Sequence, residues 1–122
     1  MLTASKENLA LAKRFLLLKW QERAAERGLR NKPVDLENAC KFVSLFVQSV
    51  FGLEMRGYWA HQFNMLPDGS VLDLTDTVSG ASAEIFHDPS FWDNPEHRAS
   101  MDSCRPRVAQ WVEEFKLINS KN

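Results

Sequence analysis

The sequence predicts an α+β domain, with helices packed on a small antiparallel sheet, and three observations carry that prediction. Apolar residues recur at helical spacing in three separate stretches, around Phe15, around Phe46 and around Trp111. Two alternating runs flank Leu66-Pro67-Asp68-Gly69, which has the residue chemistry of a tight hairpin turn. Finally, 122 residues, 44% of them hydrophobic and including eight Phe and four Trp, suffice for a single domain over residues 1–122 with a substantial core.

In chain order, Thr3 or Ser5 is placed to cap a first helix, because a hydroxyl there accepts from an otherwise unpaired helix N–H. Leu9, Ala12, Phe15, Leu16 and Trp20 form its buried stripe, the polar QERAAER segment faces solvent, and Gly28 stops it after about Arg27. Asn31-Lys32-Pro33-Val34 is a loop, since proline biases its predecessor away from helix. A second helix is capped by Asp35 or Asn38 and ended by Gly52. Its stripe is Leu36, Ala39, Cys40, Val43, Phe46, Val47 and Val50, which sets Cys40 in the first turn or two, on the face that meets the protein.

The hairpin comes next. Pro67, Asp68 and Gly69 suit a three-residue loop with a glycine in the left-handed conformation. That loop length sets Leu66 opposite Ser70, Phe63 opposite Asp73 and His61 opposite Thr75. His61 and Asp73 then share a face as diagonal neighbours about 5–8 Å apart at Cβ. A two-residue loop would have placed them on opposite faces. Beyond the hairpin, residues 77–80 read as a loop, Ala83–Phe86 as another short strand, and His87-Asp88-Pro89-Ser90 as turn. Asn94 caps a helix with Pro95 at its first position. Pro106 either kinks that helix or starts another capped by Ser103. Val108, Trp111, Val112, Phe115 and Ile118 give the last apolar stripe.

Composition narrows the function classes. No run of 18 apolar residues exists, so no membrane span or membrane partner is expected. The N-terminal pattern is broken by charges, unlike a secretory leader, and two cysteines are too few for a disulfide scaffold; a reducing cytoplasm is the expectation. Residues 1–41 hold nine Lys/Arg against five Asp/Glu, whereas the remainder holds six against eleven. A solvated helix face accounts for this asymmetry better than nucleic-acid binding does.

Cys40 at a helix start, followed by His61 and Asp73 on paired strands, forms a chemically meaningful set. Helix N–H groups favour a thiolate, an imidazole holds the thiol proton, and a carboxylate fixes the ring. Each residue alone has a plainer role: a cysteine on an apolar stripe is usually a small buried hydrophobe, and the other two serve strands and turns. Cys104, beside Arg105, has no sequence-local base and is the weaker nucleophile. Cys40, His61, Asp73 and His87 are acceptable zinc ligands, but no paired short spacing is present, so neither a metal nor a cofactor is expected. Tyr58, Trp59, Phe63 and Trp92 are candidates to line a cleft, with core packing as their ordinary alternative.

The pattern resembles the transglutaminase-like branch of the papain-like cysteine fold, most nearly small bacterial YunG-like proteins. His61-Gln62-Phe63-Asn64, Leu66-Pro67-Asp68-Gly69 and Asp73-Leu74-Thr75 match that family's strand, turn and strand over roughly residues 36–76. Phe63 stands where the family has Trp, and Asn38-Ala39 where a Gly-Gln pair is common. The resemblance implies Cys40 as nucleophile, His61 as base and Asp73 as orienter; in place of the family's Gln, the Cys40 backbone N–H with the side chain of Asn38 or Gln62 is the candidate oxyanion donor set. The expected activity is thiol-dependent acyl transfer on a protein, a peptide or a small amide or ester. A catalytically silent interaction module on the same fold is the competing expectation.

Overall fold

Ser5 begins the first helix as its chemistry dictates, its hydroxyl oxygen accepting from the Asn8 N–H at 3.1 Å. The computed structural model describes residues 1–79 and 82–120. Its α-helices are α1 (Lys6–Glu26), α2 (Cys40–Phe51) and α3 (Pro95–Ser120). The sheet comprises β1 (Met55–Tyr58), β2 (His61–Met65) and β3 (Val71–Leu72), antiparallel and in the order β1-β2-β3. Two short 3-10 helices, η1 (Ala83–Phe86) and η2 (Pro89–Asp93), lead into α3. The α+β class is therefore as the sequence predicts. No described helix is long and apolar enough to cross a membrane.

α2 is the centre of the molecule. Phe42 through Val47, then Val50 and Phe51, are all buried, so the helix is enclosed on most of its circumference. Phe46 packs against Phe15 of α1 and Phe115 of α3, with ring centroids 5.8 and 5.4 Å apart. On the sheet side, Asn64 of β2 is 1% exposed and donates from Nδ2 to the Ser44 and Leu53 carbonyls at 3.1 and 3.2 Å. Those bonds satisfy a buried amide and lock the sheet to α2. Gly52 ends α2 at φ 70°, its N–H reaching the Gln48 carbonyl.

The hairpin has the three-residue loop and the register expected of it. Gly69 sits at φ 86°, its N–H bonds the Leu66 carbonyl at 2.8 Å, and the Leu66 N–H bonds the Ser70 carbonyl at 2.9 Å. Met65 faces Val71 and Asn64 faces Leu72. β3 nevertheless ends at Leu72, three residues short of the strand end that Asp73-Leu74-Thr75 requires. The Asp73 side chain captures the N–H groups that follow it and folds the chain into a turn.

Several expectations are corrected. Ala83–Phe86 is 3-10 helix rather than strand, because N–H groups at its two ends are taken elsewhere: Ala83 bonds the Gly69 carbonyl in the hairpin loop and Asp88 the Gly57 carbonyl of β1. Neither Asp35 nor Asn38 caps α2. Its cap is Ala39, 1% exposed, where a polar side chain would be buried, and no side chain bonds the helix start. α3 runs unbroken through Pro106, and the Ser103 hydroxyl donates to the Ser100 carbonyl instead of capping. In the stripes, Ala24 is buried within the polar end of α1, and Ile118 is exposed. Asn94 does cap α3, accepting from Glu96 and His97. The expected loop at 77–80 is seen as far as Ser79, and Gly80 lies outside the described residues.

Candidate thiol site

Cys40 is the first residue of α2, where the leading N–H groups have no partner within the helix. With Ala39 as cap, no side chain covers them. β2 begins at His61 directly after the Trp59-Ala60 turn and carries the imidazole towards that helix start. His61, Gln62, Phe63 and Asn64 are all buried; Gln62 and Asn64 share the face that meets α2, and His61 and Phe63 share the other. The His61 ring stacks at 6.2 Å on Phe63, two residues along the same face.

Asp73 holds the ring. Its Oδ2 accepts from His61 Nε2 at 2.7 Å, with side-chain exposures of 7% for His61 and 2% for Asp73. The same oxygen accepts from the Val78 and Thr77 N–H groups at 2.9 and 3.2 Å. Oδ1 accepts from the Thr75 N–H and hydroxyl at 3.0 and 2.7 Å. A carboxylate held by this many donors stays ionised although buried. Burial pushes the Asp73 carboxyl up, but His61, Thr75 and Val78 outweigh that and hold it below the usual range.

Because an ionised carboxylate only accepts, Nε2 must be the protonated nitrogen, and Nδ1 is left for Cys40. Burial lowers the His61 pKa, yet the bond to Asp73 and the contact with Cys40 outweigh it and raise it to about 9. The thiol shows the complementary effect. Burial raises it, while His61, the Gln62 backbone N–H and the charge of Lys41 bring it below the ordinary thiol range. Both shifts act in the direction of a thiolate–imidazolium pair, whereas the proton that Cys40 gives to Gln62 belongs to the neutral thiol.

Gln62 is 2% exposed, and the Cys40 thiol donates to its Oε1 at 3.4 Å. Its Nε2 donates to the Tyr58 carbonyl at 3.0 Å, so the amide presents its oxygen, not its N–H, to the sulfur. As an oxyanion donor its side chain is therefore turned the wrong way. Asn38 is exposed at φ 69° and forms no side-chain hydrogen bond among the described residues. Of the oxyanion candidates, the Cys40 backbone N–H is the one left open, at a helix start that no side chain caps.

The aromatic candidates divide. Phe63 is 1% exposed and meets Phe86 edge-on, so it is core. Trp92 packs against the core and against Phe91 at 4.3 Å, and Tyr58 is half-buried. Trp59, 80% exposed, borders a groove with Lys41, Phe91 and His97. Cys104 is buried, donates to the Ser100 carbonyl, and is pushed up by burial, so it is the inert thiol of the two. His87 meets the Gly57 backbone through Nδ1, and no metal-holding group of His, Cys, Asp or Glu occurs among the described residues. No family model, curated protein or solved structure matches this chain.

Proposed function

We propose that this chain is a thiol-dependent acyl-transfer enzyme of the transglutaminase-like kind, acting on an amide or ester. The observation that carries the proposal is the arrangement at His61: Nε2 is bonded to a buried, fully coordinated Asp73, which leaves Nδ1 free for the neighbouring Cys40. The Cys40 thiolate attacks the carbonyl carbon, and the developing oxyanion takes the open backbone N–H at the helix start. Imidazolium His61 gives its Nδ1 proton to the leaving amine or alcohol, leaving an acyl-cysteine. Neutral His61 then takes a proton from water or an acceptor nucleophile, whose attack releases the thiolate. Asp73 keeps the ring in the productive orientation throughout. No step calls for a cofactor, and a free thiol suits a reducing compartment such as the cytoplasm.

Acylation by p-nitrophenyl acetate tests the proposal, with p-nitrophenol release and the mass of the Cys40 peptide as readouts. A stoichiometric burst with one acetyl group on Cys40, absent from Cys40→Ala, is the expected result. The inward oxygen of Gln62 favours the competing silent module on the same fold. Equal p-nitrophenol release by wild type and Cys40→Ala, with no adduct on Cys40, would decide for that module.

A further inference from the structure

A second polar feature lies on the other side of the Cys40 helix start, between the last turns of α1 and the loop that leads to α2. A pocket of about 260 Å³ opens there, lined by Trp20, Arg23, Arg27, Pro33, Glu37 and Asn38. Arg23, in the last turn of α1, and Arg27, its C-cap, are four residues apart and both line the pocket. Arg23 is held in place, its guanidinium 4.8 Å above the centroid of the Phe42 ring. Its Nε is buried and has no acceptor among the described residues. Neither arginine forms an ion pair among those residues, whereas Arg56, Arg105 and Arg107 each do. Glu37 shares the pocket but is exposed and pairs with neither arginine.

Buried N–H donors without an acceptor are rare, and a fixed guanidinium matches the planar oxygens of a carboxylate or phosphate. Trp20, whose ring lies 5.5 Å from that of Phe42, supplies an apolar wall for a short carbon chain. The far wall is tied down by Gln21, which donates to the Pro33 carbonyl at 2.9 Å. Asn38 lines the pocket two residues before the thiol. We propose that this pocket is an anion subsite binding a carboxylate or phosphate group through Arg23 and Arg27. Resting on the function proposed for Cys40, it holds the anionic end of the acyl substrate.

The test is NMR of the arginine Nε–H signals while inorganic phosphate or succinate is added at constant ionic strength. A saturable shift of the Arg23 Nε–H signal is expected, with affinity weakened about tenfold by Arg27→Gln, a change at an exposed position that spares the Phe42 contact. Arg14→Gln, at an exposed position on the same helix, should leave the affinity unchanged. Saturation by phosphate alone assigns a phosphorylated ligand, and saturation by succinate alone a carboxylate. Cys40→Ala should titrate like wild type, so the subsite is judged apart from the thiol chemistry. Absence of saturation by either anion, or equal weakening by Arg14→Gln, overturns it.

Discussion

Replacing His61 by alanine removes the proton partner of Cys40 without touching the thiol itself. His61→Ala should therefore slow iodoacetamide labelling of Cys40 at about pH 6–7 by an order of magnitude or so, because the thiolate loses its imidazolium. Asp73→Asn keeps the shape of the orienting side chain but not its charge, so it should slow labelling less. Quantifying labelled Cys40 and Cys104 peptides by mass spectrometry checks both, and Cys104 should remain unlabelled in the native protein because it is buried. The meeting of His61 with Asp73 was legible in the sequence because the Leu66–Gly69 turn sets the hairpin register, and the place of Cys40 near a helix start because an apolar stripe marks that helix. The rest of the site was hidden because its parts are not local. Whether Gln62 turns its oxygen or its amide to the sulfur depends on the Tyr58 carbonyl across the β1–β2 turn, a contact that no periodicity reveals.

At the scale of elements, the hairpins position the site. Gly69 lies at φ 86° with open space where a side chain would start, so Gly69→Val costs left-handed strain alone, about 1–2 kcal/mol by denaturant unfolding. Gly57 is different. Its φ is 150°, and a Cβ there would press on the His61 carbonyl oxygen and reach 2.9 Å from Gln62 Cα. Gly57→Ala should therefore displace the strand that carries His61 and slow Cys40 labelling, whereas Gly69→Val should leave labelling close to wild type. The Leu66–Gly69 turn could be read from sequence because its residues dictate their own conformations. The 3-10 course of Ala83–Phe86 could not, since bonds to Gly69 in the hairpin loop and Gly57 on β1 determine it. Nor could the continuity of α3 through Pro106, where Cys104, Val108 and Trp111 are buried on either side of the proline and packing outweighs one lost helix bond.

For the whole molecule, the aromatic centre fixes the start of α2 against β2. Phe46 is 0% exposed between Phe15 and Phe115, so Phe46→Ala should cost about 3–5 kcal/mol of unfolding free energy, read from a denaturant midpoint. Stability should also depend on pH through the buried His61–Asp73 pair. The His61 pKa is raised, so its contribution is complete below about pH 6.5 and fades as pH rises through about 9. The Asp73 pKa is lowered, so its contribution is present above the ordinary carboxylate range and fades as pH falls through the depressed value. Asp73→Asn should flatten both limbs of the stability profile. Both effects bear on one quantity, the ionisation of Cys40. The pH dependence of the Cys40 alkylation rate measures it directly. A rate that already rises with an ionisation well below the free-thiol value of about 8.5, and that loses this ionisation in His61→Ala, is the predicted result. A single ionisation at or above that value, unchanged by His61→Ala, would contradict the thiolate–imidazolium pair and with it the proposed chemistry.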